Sequence, residues 1–301
     1  MKVLTGDAYS FHQTGRRDNQ EDARYPDLDA VAAGQKFFVV CDGVGGSEAG
    51  DVASDTVCKS FAKTLAHTDL SRDFTASDFS RSLDNAFNAL DRKSSELGQE
   101  DIATTLTIAV FHGGGCTLAH IGDSRIYQIR PGAGIVYRSD DHSLVNEMVH
   151  SGIISPEEAI GHPQSHVITR CMRPVGDDEN RSGATVARIR DIKEGDCFVL
   201  CTDGVYSCVD DDELVDIVLQ SENMERAAHA LAEKCRNSQD NNTAFLIPVK
   251  ETDAMPAPAA PASGSNTTII SSCNNVITEV ASEKEVPHEN TIIHFIKKIF
   301  K

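Results

Sequence analysis

The chain has no CxxC pair, although it holds nine cysteines, an odd number scattered along its length. Cys41, Cys197 and Cys201 lie inside apolar runs, where a reduced cysteine serves as a small core residue. No secretion signal is expected either, because MKVLTGDAYSFH has neither a basic leading region nor an apolar core. No stretch of 18 or more apolar residues occurs, so no membrane-spanning helix is expected. These absences predict a reducing, cytoplasmic setting. Positive charge is scarce as well: 28 Lys and Arg stand against 46 Asp and Glu, a net charge of −18. Such a body repels nucleic acid and anionic membranes. If it works on an anionic phosphorylated substrate, metals and arginines must supply positive charge locally.

What is present suffices for a substantial core. With 301 residues, 40% of them hydrophobic, the chain can form one large domain or two small ones. Phe37 to Cys41 is an unbroken apolar run, read as a strand covered on both faces and ended by Asp42. Gly43, Gly45 and Gly46 follow, and let the backbone come close to whatever Asp42 holds. Taken alone, this is a strand, a turn and a helix starting near Ser47, with Asp42 as a turn residue. The device recurs, however. Cys197 to Thr202 runs into Asp203-Gly204, and Gly122-Asp123 joins two further strands. Three acidic turns at strand ends suggest one shared site, with a divalent cation as the usual way to keep such acids ionised. A dinucleotide fold is disfavoured, since Glu48 stands at the third glycine position and Asp42 would face a pyrophosphate.

The remaining pattern predicts a first strand over Val3 to Phe11 and a mixed-charge turn over Thr14 to Asp22. Amphipathic helices are expected around Ala53 to Leu65 and from about Ser77 to Leu97, the second stopped by Gly98. Thr104 to Phe111, Cys116 to Ile121 and Arg125 to Arg130 read as successive antiparallel strands, with His120 packed inside one of them. Val136 to Arg138 returns, and a helix begins near Asp141 to Leu144. Ser151 to Arg181 is a proline-broken flap. Two more strands, Thr185 to Arg190 and Cys197 to Thr202, precede a helix capped by Asp210 to Asp212, a helix over Met224 to Cys235 and a last strand to Val249. Residues 250–290 form a Pro/Ala/Ser-rich and polar linker expected to lack order. Thr291 to Lys301 places Ile292, Phe295, Ile296, Ile299 and Phe300 on one helical face and His294, Lys297, Lys298 and Lys301 on the other. So short a helix needs a lipid surface or a protein groove to fold upon.

Arg17-x-Asn19-x-Glu21-Asp22, Asp42-Gly43-x-Gly45-Gly46, Thr104-Thr105, Gly122-Asp123-Ser124-Arg125, Asp141-His142-Ser143-Leu144, Asp203-Gly204 and Asp240-Asn241 stand in the order seen in the type 2C, metal-dependent protein serine/threonine phosphatases, which this sequence resembles over about Asp7 to Val249. Its bacterial branch is the nearest in pattern. The resemblance implies an α+β fold, a sandwich of two antiparallel β-sheets flanked by helices, over residues 1–249, with the site in the cleft at one end. It implies that Asp42 bridges two Mn²⁺ or Mg²⁺ ions, that the Gly43 carbonyl binds one, and that Asp203 and Asp240 are the other direct ligands. Glu21 and Asp22 match acids acting through water, Arg17 matches the arginine on the substrate phosphate, and Asp123 matches a ligand of a third, weaker ion. Oxygen ligands suit such hard cations. A pair of them acidifies a bridging water and stabilises phosphoryl charge, so no protein nucleophile is needed.

One departure stands out. Where relatives carry a histidine after the Asp-Gly turn or after the double glycine, this chain has Val44 and Ser47. A metal-held water near Asp123 is the expected acid, with His142 a weaker candidate. Expected partners are phosphorylated proteins and a serine/threonine kinase whose work the chain opposes. The rival readings are a phosphatase dedicated to one partner and a phosphoprotein binder that does not hydrolyse.

Overall fold

The computed structural model describes residues 2–44, 49–175, 181–253 and 267–270. Gly45, Gly46 and Ser47, nearly all of the linker and the terminal amphipathic segment lie outside these residues. The element order is β1 (Val3–Thr5), β2 (Ala8–Gln13), β3 (Asp22–Tyr25), β4 (Ala30–Val31), β5 (Phe37–Asp42), α1 (Gly50–Ala66), α2 (Ala76–Leu97), β6 (Leu106–His112), β7 (Gly115–Ile121), β8 (Arg125–Arg130) and β9 (Gly134–Arg138). It continues through α3 (Leu144–His150), α4 (Pro156–Ala159), β10 (Ala184–Ile189), β11 (Cys197–Cys201), α5 (Asp203–Tyr206), α6 (Asp211–Gln220), α7 (Met224–Cys235), β12 (Asn242–Thr252) and β13 (Thr267–Ile270).

Two antiparallel sheets result. One runs β4-β2-β12-β11-β8-β9, with β1 also on β12, and the other runs β13-β10-β7-β6-β5-β3. Alternation explains why unbroken apolar runs become strands here. In β5, Phe38 and Val40 point between the sheets, while Phe37, Val39 and Cys41 point under α1 and α2. In β11, Phe198 and Leu200 enter the same inter-sheet core, while Cys197, Val199 and Cys201 pack beneath α5, α6 and α7. Both faces are dry, so every position must be apolar. Phe38 meets Phe111 and Phe245 edge-on, and Phe111 meets Phe198 in the same way, tying the sheets across the middle.

The helices follow their signals. α2 starts on Thr75, whose side chain accepts from Asp78 N in a reciprocal capping box, and ends on Gly98 in the left-handed conformation. Asp210 caps α6 through Glu213 N, and Ser143 caps α3 through Asn146 N. The first expected strand is in fact two, broken at Gly6-Asp7 so that β1 and β2 meet β12 at different heights. The last body strand reaches Thr252 rather than Val249. Within the linker expected to lack order, Thr267–Ile270 is a strand on the edge of β10. Its four β-branched residues favour an extended backbone, which the surrounding composition masks. Among the described residues no helix is long and apolar enough to cross a membrane.

Candidate active site

The acids converge at one end of the sandwich because of how four strand ends are pinned. Asp42 closes β5 directly opposite Asp22 of β3 in the strand register. Its backbone is fixed from both sides: Asp42 N donates to Thr105 Oγ1 at 3.0 Å, and Asp42 O accepts from Thr105 N and Thr104 Oγ1 at 2.8 Å. Thr105 Oγ1 in turn lies 2.8 Å from Ser124 Oγ, which brings the Gly122-Asp123 turn alongside. Gly43 is required by space, since a Cβ there would sit 2.5 Å from the Gly50 carbonyl carbon and 2.7 Å from Glu21 O. Val44, in place of a histidine, only ties its amide to Ala103 O.

The other half of the site comes from the opposite sheet. Asp203 opens α5, and Asp240 precedes β12 in the adjacent turn. Gly204 lets these loops touch: a Cβ on it would come within 2.0 Å of Asn241 O, and Ser238 Oγ bonds Gly204 O at 3.0 Å. Asn241 then reaches across to the first motif, accepting from Glu21 N at 2.7 Å and donating to Thr14 O and Asn19 O. Arg17 donates to Asp240 Oδ2 at 2.7 Å, half-exposed at the rim.

Asp22, the acid expected to act through water, is held by two hydroxyls. It is buried, and Oδ2 accepts from Thr202 Oγ1 at 3.0 Å and Thr243 Oγ1 at 2.7 Å, while Oδ1 has no partner. These two hydroxyls carry no sequence signature apart from their place beside Asp203 and Asp240. Arg125, which closes the Gly122-Asp123-Ser124-Arg125 motif, has a structural role the motif alone does not assign. It grips Asp141 with both arms of its guanidinium and lies 3.7 Å over the Tyr206 ring, joining β8, the loop before α3 and the helix of Asp203.

So many buried carboxyls repel one another. Burial, then neighbouring acids, push Asp42 well above the carboxylate range. Burial and Asp203 raise Asp123 to about 7, and burial raises Asp22 to about 7. Asp203 rises to about 6 from burial and Asp240, with the neighbouring Asp42 carboxyl offsetting part of the rise. Burial also raises Glu21. The buried Asp22 Oδ1 and Asp203 Oδ1 lack partners. Oxygen donors only, unmet carboxylate atoms and mutual repulsion fit hard divalent cations, which would meet all three conditions. As the side chains stand, no three acids, histidines or cysteines among the described residues are in ligating geometry. Asp240 is turned onto Arg17.

His142 is held inside the fold. Nδ1 accepts from Gly122 N at 3.1 Å, Nε2 faces Thr185 Oγ1 at 2.8 Å, and the ring stacks on His120 at 4.5 Å. Burial and His120 lower it to about 2, so it stays neutral. His120 is packed as expected, with Nε2 on Asp140 O.

The protein phosphatase 2C profile matches residues 15–240. Serine/threonine protein phosphatase PstP of Mycobacterium tuberculosis is 33% identical over 232 residues, covering 75% of this chain and 42% of its own length. Protein phosphatase PhpP of Streptococcus pneumoniae is 29% identical over 245 residues, covering 79% of this chain and 95% of its own. A crystal structure of the PstP catalytic domain with two manganese ions superposes with a TM-score of 0.64 at 27% identity, covering 83% of this chain and all of that one. Matched over three quarters of its length in sequence and over 83% in shape, the chain belongs to the protein phosphatase 2C family.

Proposed function

We propose that the chain is a metal-dependent protein serine/threonine phosphatase, hydrolysing phosphoserine and phosphothreonine in proteins. The observation that supports this most is the meeting of Asp22, Asp42, Asp203 and Asp240 from both sheets, with Arg17 at the rim beside Asp240. In this reading Asp42, the Gly43 carbonyl, Asp203 and Asp240 hold two Mn²⁺ or Mg²⁺ ions, Glu21 and Asp22 support them, and Asp123 serves a third. When bound, the ions acidify water and neutralise phosphoryl charge. The protein's own part is positional. Thr104 and Thr105 fix the height of Asp42, Thr202 and Thr243 keep Asp22 pointed inward, and Arg17 leaves Asp240 to take two phosphoryl oxygens in its fork. With His142 committed to Gly122 and Thr185, the leaving oxygen takes its proton from water ordered beside Asp123.

The whole-protein partners are part of the same proposal: phosphorylated proteins, a serine/threonine kinase acting in opposition, no nucleic acid, and a lipid surface or protein groove for the terminal segment of a cytoplasmic enzyme. The chain spans 42% of the length of its PstP relative. The test is turnover of a phosphothreonine peptide with Mn²⁺. Release of phosphate that stops on chelation and in Asp203→Asn supports hydrolysis; tight peptide binding with no release would make the chain a binder.

A further inference from the structure

β10 has two edges with different neighbours. On one side it pairs with β7 from Thr185↔His120 to Ile189↔Cys116. On the other, Ala184↔Ile270, Thr185↔Ile269, Val186↔Thr268 and Ala187↔Thr267 pair it with β13. β10 is the last strand that the body of the chain contributes on this side of its sheet. Its outward N–H and C=O groups therefore form an open template that accepts any extended backbone of suitable register. The occupant is a run of four β-branched residues, stiff in the extended conformation. The sequence just before it, MPAPAAPASGS, is poor competition, since each proline lacks a donor.

We propose that the outer edge of β10 is a strand-acceptor site for an extended β-branched peptide segment, and that its resident occupant is Thr267–Ile270 of the same chain. Reach favours the same chain over a second copy. Residues 253–266 can span up to about 45 Å when extended. Sheets stack about 10 Å apart and strands lie about 4.8 Å apart, so the path from the end of β12 to the far edge is well within that length. The acceptor also lies next to the site. Thr185 pairs with Ile269 by its backbone and meets His142 by its hydroxyl, and His142 holds the turn of Asp123.

Hydrogen exchange on the full chain tests this without any measure of catalysis, so its outcome is separate from the phosphatase reading. Successive N–H groups of a strand point to opposite sides, so of Ile269→Pro and Thr268→Pro one removes a donor to β10. Exchange across residues 184–189 is expected to quicken about tenfold or more in that variant, while β6 keeps its protection and so reports an intact body. A synthetic peptide of residues 265–272, added in excess to that variant, should slow β10 again. Unchanged exchange in β10 in both variants would overturn the proposal. A concentration-dependent dimer that either substitution converts to monomer would overturn the same-chain occupant.

Discussion

Arg17 illustrates what a single side chain contributes, because its partner Asp240 is also a proposed metal ligand. Arg17→Ala is expected to lower kcat/KM on a phosphopeptide by about 10² or more, consistent with loss of a charge-assisted fork worth about 3 kcal/mol. Arg17→Lys should recover only part, since an ammonium cannot span two oxygens. His142→Ala should lower stability and leave both limbs of the pH–rate profile in place; loss of a limb would return the general acid to His142. Arg125→Met leaves Asp141 unpaired beneath Tyr206, and a loss of about 3 kcal/mol in chemical denaturation is expected. At this scale the sequence is legible where chemistry needs one residue type. Asp42 and Asp203 can be picked out because an acid ends an apolar run, whereas Asp240, in the polar stretch before β12, is found only through the family resemblance. Thr202 and Thr243 cannot, because a hydroxyl is ordinary on a surface and their burial is decided by strands far away in the chain; Arg125 stands in a motif, but its grip on Asp141 is set by the fold.

Elements carry the next level, since each site residue sits at the end of one. α5 and the turn before β12 meet through Gly204, where no Cβ fits against Asn241 O. Gly204→Ala should push Asp203 and Asp240 apart, costing about 1–3 kcal/mol and weakening Mn²⁺ binding measured by calorimetry. Thr75→Ala, far from the site, should cost only about 1 kcal/mol through its lost cap and leave metal binding unchanged. β5, β11 and α2 were legible because their periods are clean and their ends are punctuated by Asp-Gly or Gly98. β3 was not: Asp22–Tyr25 mixes acid, arginine and tyrosine and becomes a strand only by pairing with β5. β13 was hidden in the same way, its four residues diluted by polar neighbours.

For the whole molecule, the balance of protons sets stability. Burial holds His112 at about 4, with Phe74 N and Gly114 N donating to Nδ1, so its contact with Asp73 is no ion pair. A histidine lowered in the fold takes up its proton more readily when unfolded. His112 and His142 therefore contribute stability that is complete above about 6.5 and declines as pH falls. Asp22, Asp42, Asp123 and Asp203 are raised in the fold, as are Glu21 and Asp84, so without cations they favour folding at lower pH, and among the described residues these six outnumber the four lowered histidines His12, His112, His120 and His142. Chelated protein should melt at a lower temperature as pH rises from 5 to 7, whereas Mn²⁺-saturated protein, with the acids ionised, should melt higher. A slope of the same sign in both would contradict the shared cluster. The net charge of −18 adds a second expectation: turnover of an acidic phosphopeptide should rise with salt, and that of a basic one fall.

The position of β12 has a further consequence. It is the last strand of the body to be synthesised, yet it lies between β2 and β11 and also receives β1, with Lys2 N bonded to Asp253. A nascent chain that stops short of Asn242 leaves β2 and β11 as bare edges and lacks the support for Asp22 that Thr243 brings. Ribosome-bound chains should therefore remain protease-sensitive until β12 has emerged, then close cooperatively. The neighbouring ends also make the body suited to circular permutation, with new termini in the exposed turn around Gly132.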